Sequence, residues 1–227
     1  MRENGNAQAR PYHHGDLSRA LVDAARRILE AEGPAALSLR AVAREAGVSP
    51  AAPYHHFKDK TELMEAVAHG GWEALSDAIA RGRREARHPR EALNNIGLAY
   101  VTFARENPAL YRLMYHTTRD RKAMPEHAKE ETSGYAQVQE ALIEAGADPT
   151  DDHELELATI AAWCAVHGLA EMACFKEFQP LKAAMGGDEA FLRAILRHFG
   201  PFTGSPTPHE RGPSAQPSPE DPHATAH

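Results

Sequence analysis

Between Ala46 and Pro50 the chain has three residues in which to end one helix and begin another. Upstream, LSLRAVAREAG sets Leu39, Val42, Ala43 and Ala46 at three- and four-residue spacing, the pattern of a short helix with one apolar face. Ser38 stands before it as an N-cap, its hydroxyl placed to accept from an orphan amide of the first turn. Leu37 and Val42 occupy the positions of a hydrophobic staple. Gly47 closes the helix, because the left-handed residue that finishes most helices costs glycine nothing. Ser49 then offers a second cap, and Pro50 a pre-set first helical position. Two short helices joined by a glycine-bearing turn of this length are the signature of a helix-turn-helix, whose second helix enters the major groove of DNA.

The second helix has the composition this task needs. Pro50, Ala51 and Ala52 fall in its first turn, where small side chains permit close approach to the groove floor and contact with thymine methyl groups. Tyr54, His55, His56, Lys58 and Lys60 follow, with hydroxyl, imidazole and ammonium groups suited to phosphate oxygens. Ser38, Arg40 and Ser49, at the two helix starts, complete the candidate DNA-binding set. Pro53 lacks the N–H that would make the first intrahelical bond, which predicts a tight first turn in a helix that continues. Phe57 is expected to plug the core beneath the turn.

Helical spacing runs through the rest of the chain. Asp16 is expected to cap a first helix that carries Leu17, Leu21, Ala24, Ala25 and Ile28 and stops at Gly33-Pro34. Asp59 and Glu62 predict a capping box for a long helix over about 60–86, with a bend invited at Gly70-Gly71. Further helices are expected near 90–106, 109–117, 122–146, 152–179 and 187–199, and no useful strand alternation is visible. The fold class is therefore all-α. A flexible N-terminal arm (1–11) leads into a three-helix helix-turn-helix DNA-binding domain (12–65) and a C-terminal helical bundle for regulation and dimerisation (66–202). Residues 203–227 hold six prolines in 25 positions and should be disordered.

Charge agrees with this division. The formal net charge of −7 combines fourteen Lys and Arg against twelve Asp and Glu in residues 1–90 with eleven against twenty in the remainder. Nucleic acid would therefore be met by the first part. Two cysteines, Cys164 and Cys174, make no disulfide framework, and the opening MRENGNAQARPYHH has no apolar signal core. The alanine-rich stretch 157–175 carries His167 and Glu171 and reads as a buried helix, with no membrane span. The expected location is cytoplasmic.

With LSLRAVAREAGVSPAAPYHHFKDKTEL in view, the chain resembles the tetracycline-repressor (TetR) family of bacterial transcriptional regulators. The likeness covers about residues 10–65, in a single register of A-x-x-A-G-V-S followed by Y-x-H-F-x-x-K, and YHHGDL at 12–17 resembles the lead-in of some members. It implies an all-helical homodimer whose reading helices bind a palindromic operator as a repressor and are released by a small-molecule effector. By matching positions, Tyr54, His56 and Lys60 would hold phosphates while Pro50, Ala51 and Ala52 face bases. Pro53 departs from the leucine of many members. NPALYRLMY at 107–115 and AAWCAVHGLAEM at 161–172 resemble a subgroup with a tryptophan and then a His-Gly pair, here Trp163, His167 and Gly168.

Two clusters in the second part admit sharper and blander readings. Tyr100, Phe103, Tyr111, Met114 and Tyr115, with Trp163 and His167, could line a pocket for a mostly apolar effector or form plain core. Cys164, His167, Glu171 and Cys174 fall on one face of the helix expected over 152–179. That arrangement opens the alternatives of a thiol enzyme with Cys164 as nucleophile and His167 as base, or of a metal site. A helical protein-interaction module is a further alternative. The adjacent pairs His13-His14 and His55-His56 point about 100° apart and do not chelate as i,i+4 histidines do. No oxyanion-hole turn or Gly-rich phosphate loop is visible, so no enzyme, metal or cofactor is expected.

Overall fold

Caps and stops divide the chain into nine α-helices and no strand among the described residues, which are 14–121, 130 and 132–199 of a computed structural model. The helices are α1 (His14–Glu32), α2 (Leu39–Glu45), α3 (Lys60–Arg84), α4 (Pro89–Glu106), α5 (Pro108–Arg121), α6 (Gly134–Glu144), α7 (Asp152–Met172), α8 (Gln179–Ala184) and α9 (Asp188–His198). Single 3-10 turns stand at Ala52–His55 and Lys176–Phe178. The expected arm over 1–11, residues 122–129 of the helix anticipated over 122–146, and the tail from 203 lie outside the described residues.

Local chemistry sets most of these boundaries. The Ser38 hydroxyl accepts from Ala41 N at 3.1 Å and Asp59 Oδ1 from Glu62 N at 3.0 Å, each satisfying an orphan donor. Glu62 reaches back to Lys58 N at 2.6 Å, one residue before the position a capping box would use. Gly47 adopts φ +69, and Val48 N donates to Ala43 O at 2.9 Å, a closure that turns the chain sharply after α2. α1 begins at His14, so Asp16 lies inside the helix and is not its cap. Backbone conformation upstream of Asp16 remained helical for two more residues.

The core is one contiguous cluster. Leu21, Leu29, Leu37, Val42, Phe57 and Leu63 fill the helix-turn-helix part, and Leu75, Ile79, Leu142 and Leu192 continue it into the bundle. α3 packs against α4, α5 and α6, and it runs unbroken through Gly70-Gly71 and across the division anticipated at residue 65. Gly71 has a packing reason for its small size. A Cβ there would lie 2.7 Å from Met114 Sδ and 3.0 Å from Leu110 Cδ1, so glycine lets α5 approach α3 closely.

The segment expected as one helix over 152–179 is three elements. α7 ends at Met172, where the buried Lys182 ammonium donates to the Ala173 carbonyl and also sits 2.7 Å from Asp188 Oδ1. Phe175 then turns extended, with φ −64 and ψ 136, and stacks on Phe178. Cys174 therefore falls beyond the helix that carries Cys164, His167 and Glu171. Burial lowers the Lys182 pKa, with the neighbouring Arg105 charge adding to the effect.

Candidate nucleic-acid interface and effector cavity

Beyond the Gly47 turn, the reading element is a single 3-10 turn and not the continuing α-helix that the spacing suggests. Ala52 N donates to Ser49 O at 3.0 Å, Tyr54 N to Ala51 O at 3.1 Å and His56 N to Pro53 O at 3.0 Å, all with i→i+3 spacing. Pro53 explains this, because it has no N–H to give Ser49 O the bond an α-helix needs there. The cap position belongs to Ala51, with no side-chain bond, so Ser49 contributes its carbonyl and not a hydroxyl cap. Pro53 and Phe57 are buried and anchor the turn from below.

Ser49, Pro50, Ala51, Tyr54, His55 and Lys58 are exposed, as are Ser38 and Arg40 at the start of α2. Tyr54 is 54% exposed, a large aromatic residue left in water by a well-packed fold. Ala52, His56 and Lys60 are half-buried. The Lys60 ammonium donates to Pro34 O at 2.8 Å, tying the start of α3 to the α1–α2 connection. The Ser38 hydroxyl is occupied as the cap of α2.

Polar contacts also join α1 to the start of α5. Glu30 on α1 accepts from Leu110 N at 2.8 Å and from Ala109 N at 3.3 Å, satisfying amides at the start of α5. Arg26 Nη2 donates to Asn107 Oδ1 at 2.6 Å beside them.

In the bundle the expected ligand residues separate into three groups. The first is a polar aromatic cluster. The Tyr100 hydroxyl meets those of Tyr111 (3.1 Å) and Tyr115 and lies 3.3 Å from His167 Nδ1. Tyr111 stands 2.5 Å from the same His167 nitrogen, and Trp163 Nε1 donates to the Tyr115 hydroxyl at 3.0 Å. Burial is the main cause that raises the tyrosine pKa values, Tyr115 to about 12 and Tyr100 and Tyr111 further. The second is Met114, which is fully buried and packs against Gly71 on the α3 side. The third is Phe103, which faces a separate groove between α3 and α4 that also holds Arg26 and Arg193.

A cavity of about 360 Å³ lies between α3, α4, α6, α7 and α9. Of the seven expected ligand residues only Tyr100 and Trp163 line it. Its remaining wall includes Ile79, Val138, Val166 and Leu196, with Arg90, Asn94 and Arg197. The spacing of Arg90 and Asn94 puts them on one helix face, a signal visible in the sequence, but nothing local says that α9 covers that face.

The four residues of the thiol or metal alternative do not assemble. Cys164 and Cys174 are exposed, Cys174 Sγ donates to Glu171 O at 3.1 Å, and His167 faces the tyrosines. Among the described residues no group of three or more His, Cys, Asp or Glu could hold a metal ion. No single described helix is long and apolar enough to cross a membrane.

Comparison with known proteins gives two family matches along the chain. Residues 21–67 match the family model described as bacterial regulatory proteins, tetR family, and residues 93–199 match that of the tetracyclin repressor-like C-terminal domain. The HTH-type transcriptional regulator BetI of Rhizobium meliloti is 35% identical over 100 residues, 43% of this chain and 49% of that protein. The chain thus aligns with about half the length of this curated relative. A solved protein of unknown function from Rhodococcus sp. RHA1 is 32% identical, with a TM-score of 0.63 over 84% of this chain and 97% of that one. A TetR family transcription regulator from Marinobacter aquaeolei shares the fold at 19% identity, with a TM-score of 0.55 over 80% and 95% of the two chains.

Proposed function

The chain belongs to the tetR family of bacterial regulatory proteins, and on that premise we propose that it is a ligand-responsive transcriptional regulator, a repressor that binds a palindromic operator as a homodimer. The observation that carries this reading is the exposed row Ser49, Pro50, Ala51, Tyr54 and His55, held out by the Gly47 turn over buried Pro53 and Phe57. Small residues lead, and aromatic and polar residues follow at the edge, as base-facing and phosphate-facing positions require. Arg40, Ser38, His56, Lys58 and Lys60 flank the row. The protein acts in the cytoplasm, where its DNA is, and no catalytic step belongs to this reading.

Exposed apolar side chains support pairing with a second copy. Leu157, Ile160 and Met172 on α7, Phe175 after it, and Leu181 and Met185 around α8 stand in solvent, although large apolar residues usually gain by burial. α9 turns Phe191, Leu192 and Leu196 into its own chain, so the pairing face is that of α7 and α8. A twofold axis through that face would present two reading turns to two half-sites.

The effector acts through differential affinity for two states of the bundle. Trp163 and Tyr100 form part of the cavity wall and part of the polar cluster, and Tyr115 and Tyr111 carry that cluster onto α5. Glu30 and Arg26 grip the start of α5 from α1. A ligand that displaces Trp163 or Tyr100 would thus act on α5 and through it on the helix-turn-helix. Selection from random DNA duplexes by the purified protein tests the regulator. An enriched palindrome is expected, and binding without any sequence preference would discard the reading.

A further inference from the structure

We propose that the cavity takes a small organic anion, its apolar body against Ile79, Val138 and Val166 and its acidic head between Arg90 and Arg197; this rests on the ligand-responsive reading above and names the class of ligand.

The pairing of α4 and α9 brings the two arginines together. Arg105 meets Asp188 at one end of the pair, and Arg193 Nη1 donates to Asn95 Oδ1 at 3.0 Å along it. The helices are therefore antiparallel, and towards the opposite end Arg90 of α4 and Arg197 of α9 line the same cavity. Both line the cavity and both are exposed, so they occupy its solvent side.

Among the described residues neither arginine is committed to a carboxylate, in contrast to three others of the bundle. Arg83 is paired with Glu140 and Glu144, Arg105 with Asp188 and Arg193 with Glu189. Arg90 and Arg197 make no ion pair among the described residues. Glu91, the nearest carboxylate in sequence, is turned back to accept from Arg87 N at 2.8 Å. Arg197 sits in the last turn of α9, where a cation is favoured by the helix dipole. Arg90 sits in the first turn of α4, where it is disfavoured, so helix stability does not account for it. Asn94, one turn further along the same face, adds an amide with no protein partner among the described residues.

Two guanidinium groups at the mouth of an otherwise apolar cavity match a carboxylate or another acidic head on a hydrocarbon or aromatic body. A purely polar anion would leave the wall of Ile79, Val138 and Val166 facing water, and a cation would meet like charge. The volume, about 360 Å³, is at the small end for ligand sites.

The test uses the full chain and its own fluorophores. Trp163 lines the cavity and Trp72 stacks on it at 6.3 Å, and the sequence has no other tryptophan. Tryptophan emission is followed during titration with dodecanoate, methyl dodecanoate, dodecyltrimethylammonium and inorganic sulfate, all below micelle formation. Dodecanoate is expected to saturate the signal with an affinity about tenfold above the ester and the cation, and sulfate to leave it unchanged. The double variant R90Q/R197Q, made at exposed positions, should bring dodecanoate down to the ester and leave the ester itself unaltered. Ala162→Phe, which fills the cavity, should weaken both. Equal binding of ester and carboxylate, or dodecanoate binding indifferent to R90Q/R197Q, overturns the proposal. If Ala162→Phe does not fold, the arginine pair decides alone. Operator affinity is measured separately on each protein. Intact operator binding with no preference for the carboxylate discards the anion and keeps the regulator, and the reverse outcome discards the regulator and keeps the anion site.

Discussion

The Tyr111 hydroxyl and His167 Nδ1 stand 2.5 Å apart, joining α5 to α7 beside a cavity that neither residue lines. Tyr100 and Tyr115 close the cluster, and Trp163 supplies an N–H to it. Such a network, with no buried side-chain polar atom left unpartnered among the described residues, fixes the relative positions of three helices more sharply than apolar packing does.

The phenols of this cluster make the fold sensitive to alkali. Burial, the main cause, raises the Tyr115 pKa from 10.0 to about 12, so the folded state keeps a proton that the unfolded chain releases. Its contribution is complete below pH 10 and is lost as pH rises towards 12. Thermal melts across that interval should show Tm falling with pH. Tyr115→Phe should flatten the slope while destabilising the fold at neutral pH by about 1–3 kcal/mol, because the Trp163 N–H is left stranded. An unchanged slope in Tyr115→Phe would remove Tyr115 as its source.

Gly70 and Gly71 should respond oppositely to alanine. Gly71→Ala places a Cβ 2.7 Å from Met114 Sδ and is expected to destabilise by about 1–3 kcal/mol. Gly70→Ala meets only Val22 Cγ1, at 4.0 Å, and should gain up to about 1 kcal/mol of helix propensity. Urea denaturation measures both. In a Met114→Ala background the Gly71→Ala cost should shrink, because the side chain that the new Cβ meets is removed.

Removing the Glu30 carboxylate should loosen the start of α5. Glu30→Ala leaves the Ala109 and Leu110 amides without their acceptor and is expected to cost about 1–2 kcal/mol. Hydrogen exchange at these two amides should accelerate beyond the global change in stability. Full retention of their protection would mean that α5 is held by its other contacts.

Lys58 and Lys60 should separate in a salt series. Lys58 is exposed, so Lys58→Ala should lower the log–log salt slope of operator binding by about 0.9 with stability unaltered. Lys60→Ala should also lower stability, by about 1 kcal/mol, because Pro34 O loses its donor. A salt slope unmoved by either variant would take both lysines off the phosphates.

Charge placed on the α7 face should prevent pairing. Leu157 is 62% exposed, and Leu157→Asp is expected to yield a monomer of unaltered helicity in sedimentation, with operator affinity reduced about tenfold or more. A variant that stays dimeric would move the interface elsewhere.

Local chemistry determined the caps of α2 and α3 and the turn that closes α2. Ser38, Gly47 and Asp59 act on backbone groups within four residues, so their caps and stops follow from sequence alone. The reading element marks the limit of that logic. Pro53 announced a distorted turn, yet Pro53 and Phe57 packing into the core accompanied its contraction to a single 3-10 turn. Tertiary structure alone decided the rest. Periodicity gives a helix a buried face without saying which neighbour covers it, so Tyr100, Phe103, Tyr111, Met114 and Tyr115 looked alike in sequence. Packing sent Met114 to Gly71, Phe103 to an outer groove and Tyr100 to the cavity. Arg90 and Arg197, more than a hundred residues apart, share that cavity because α4 and α9 run antiparallel, a relation no local interaction encodes.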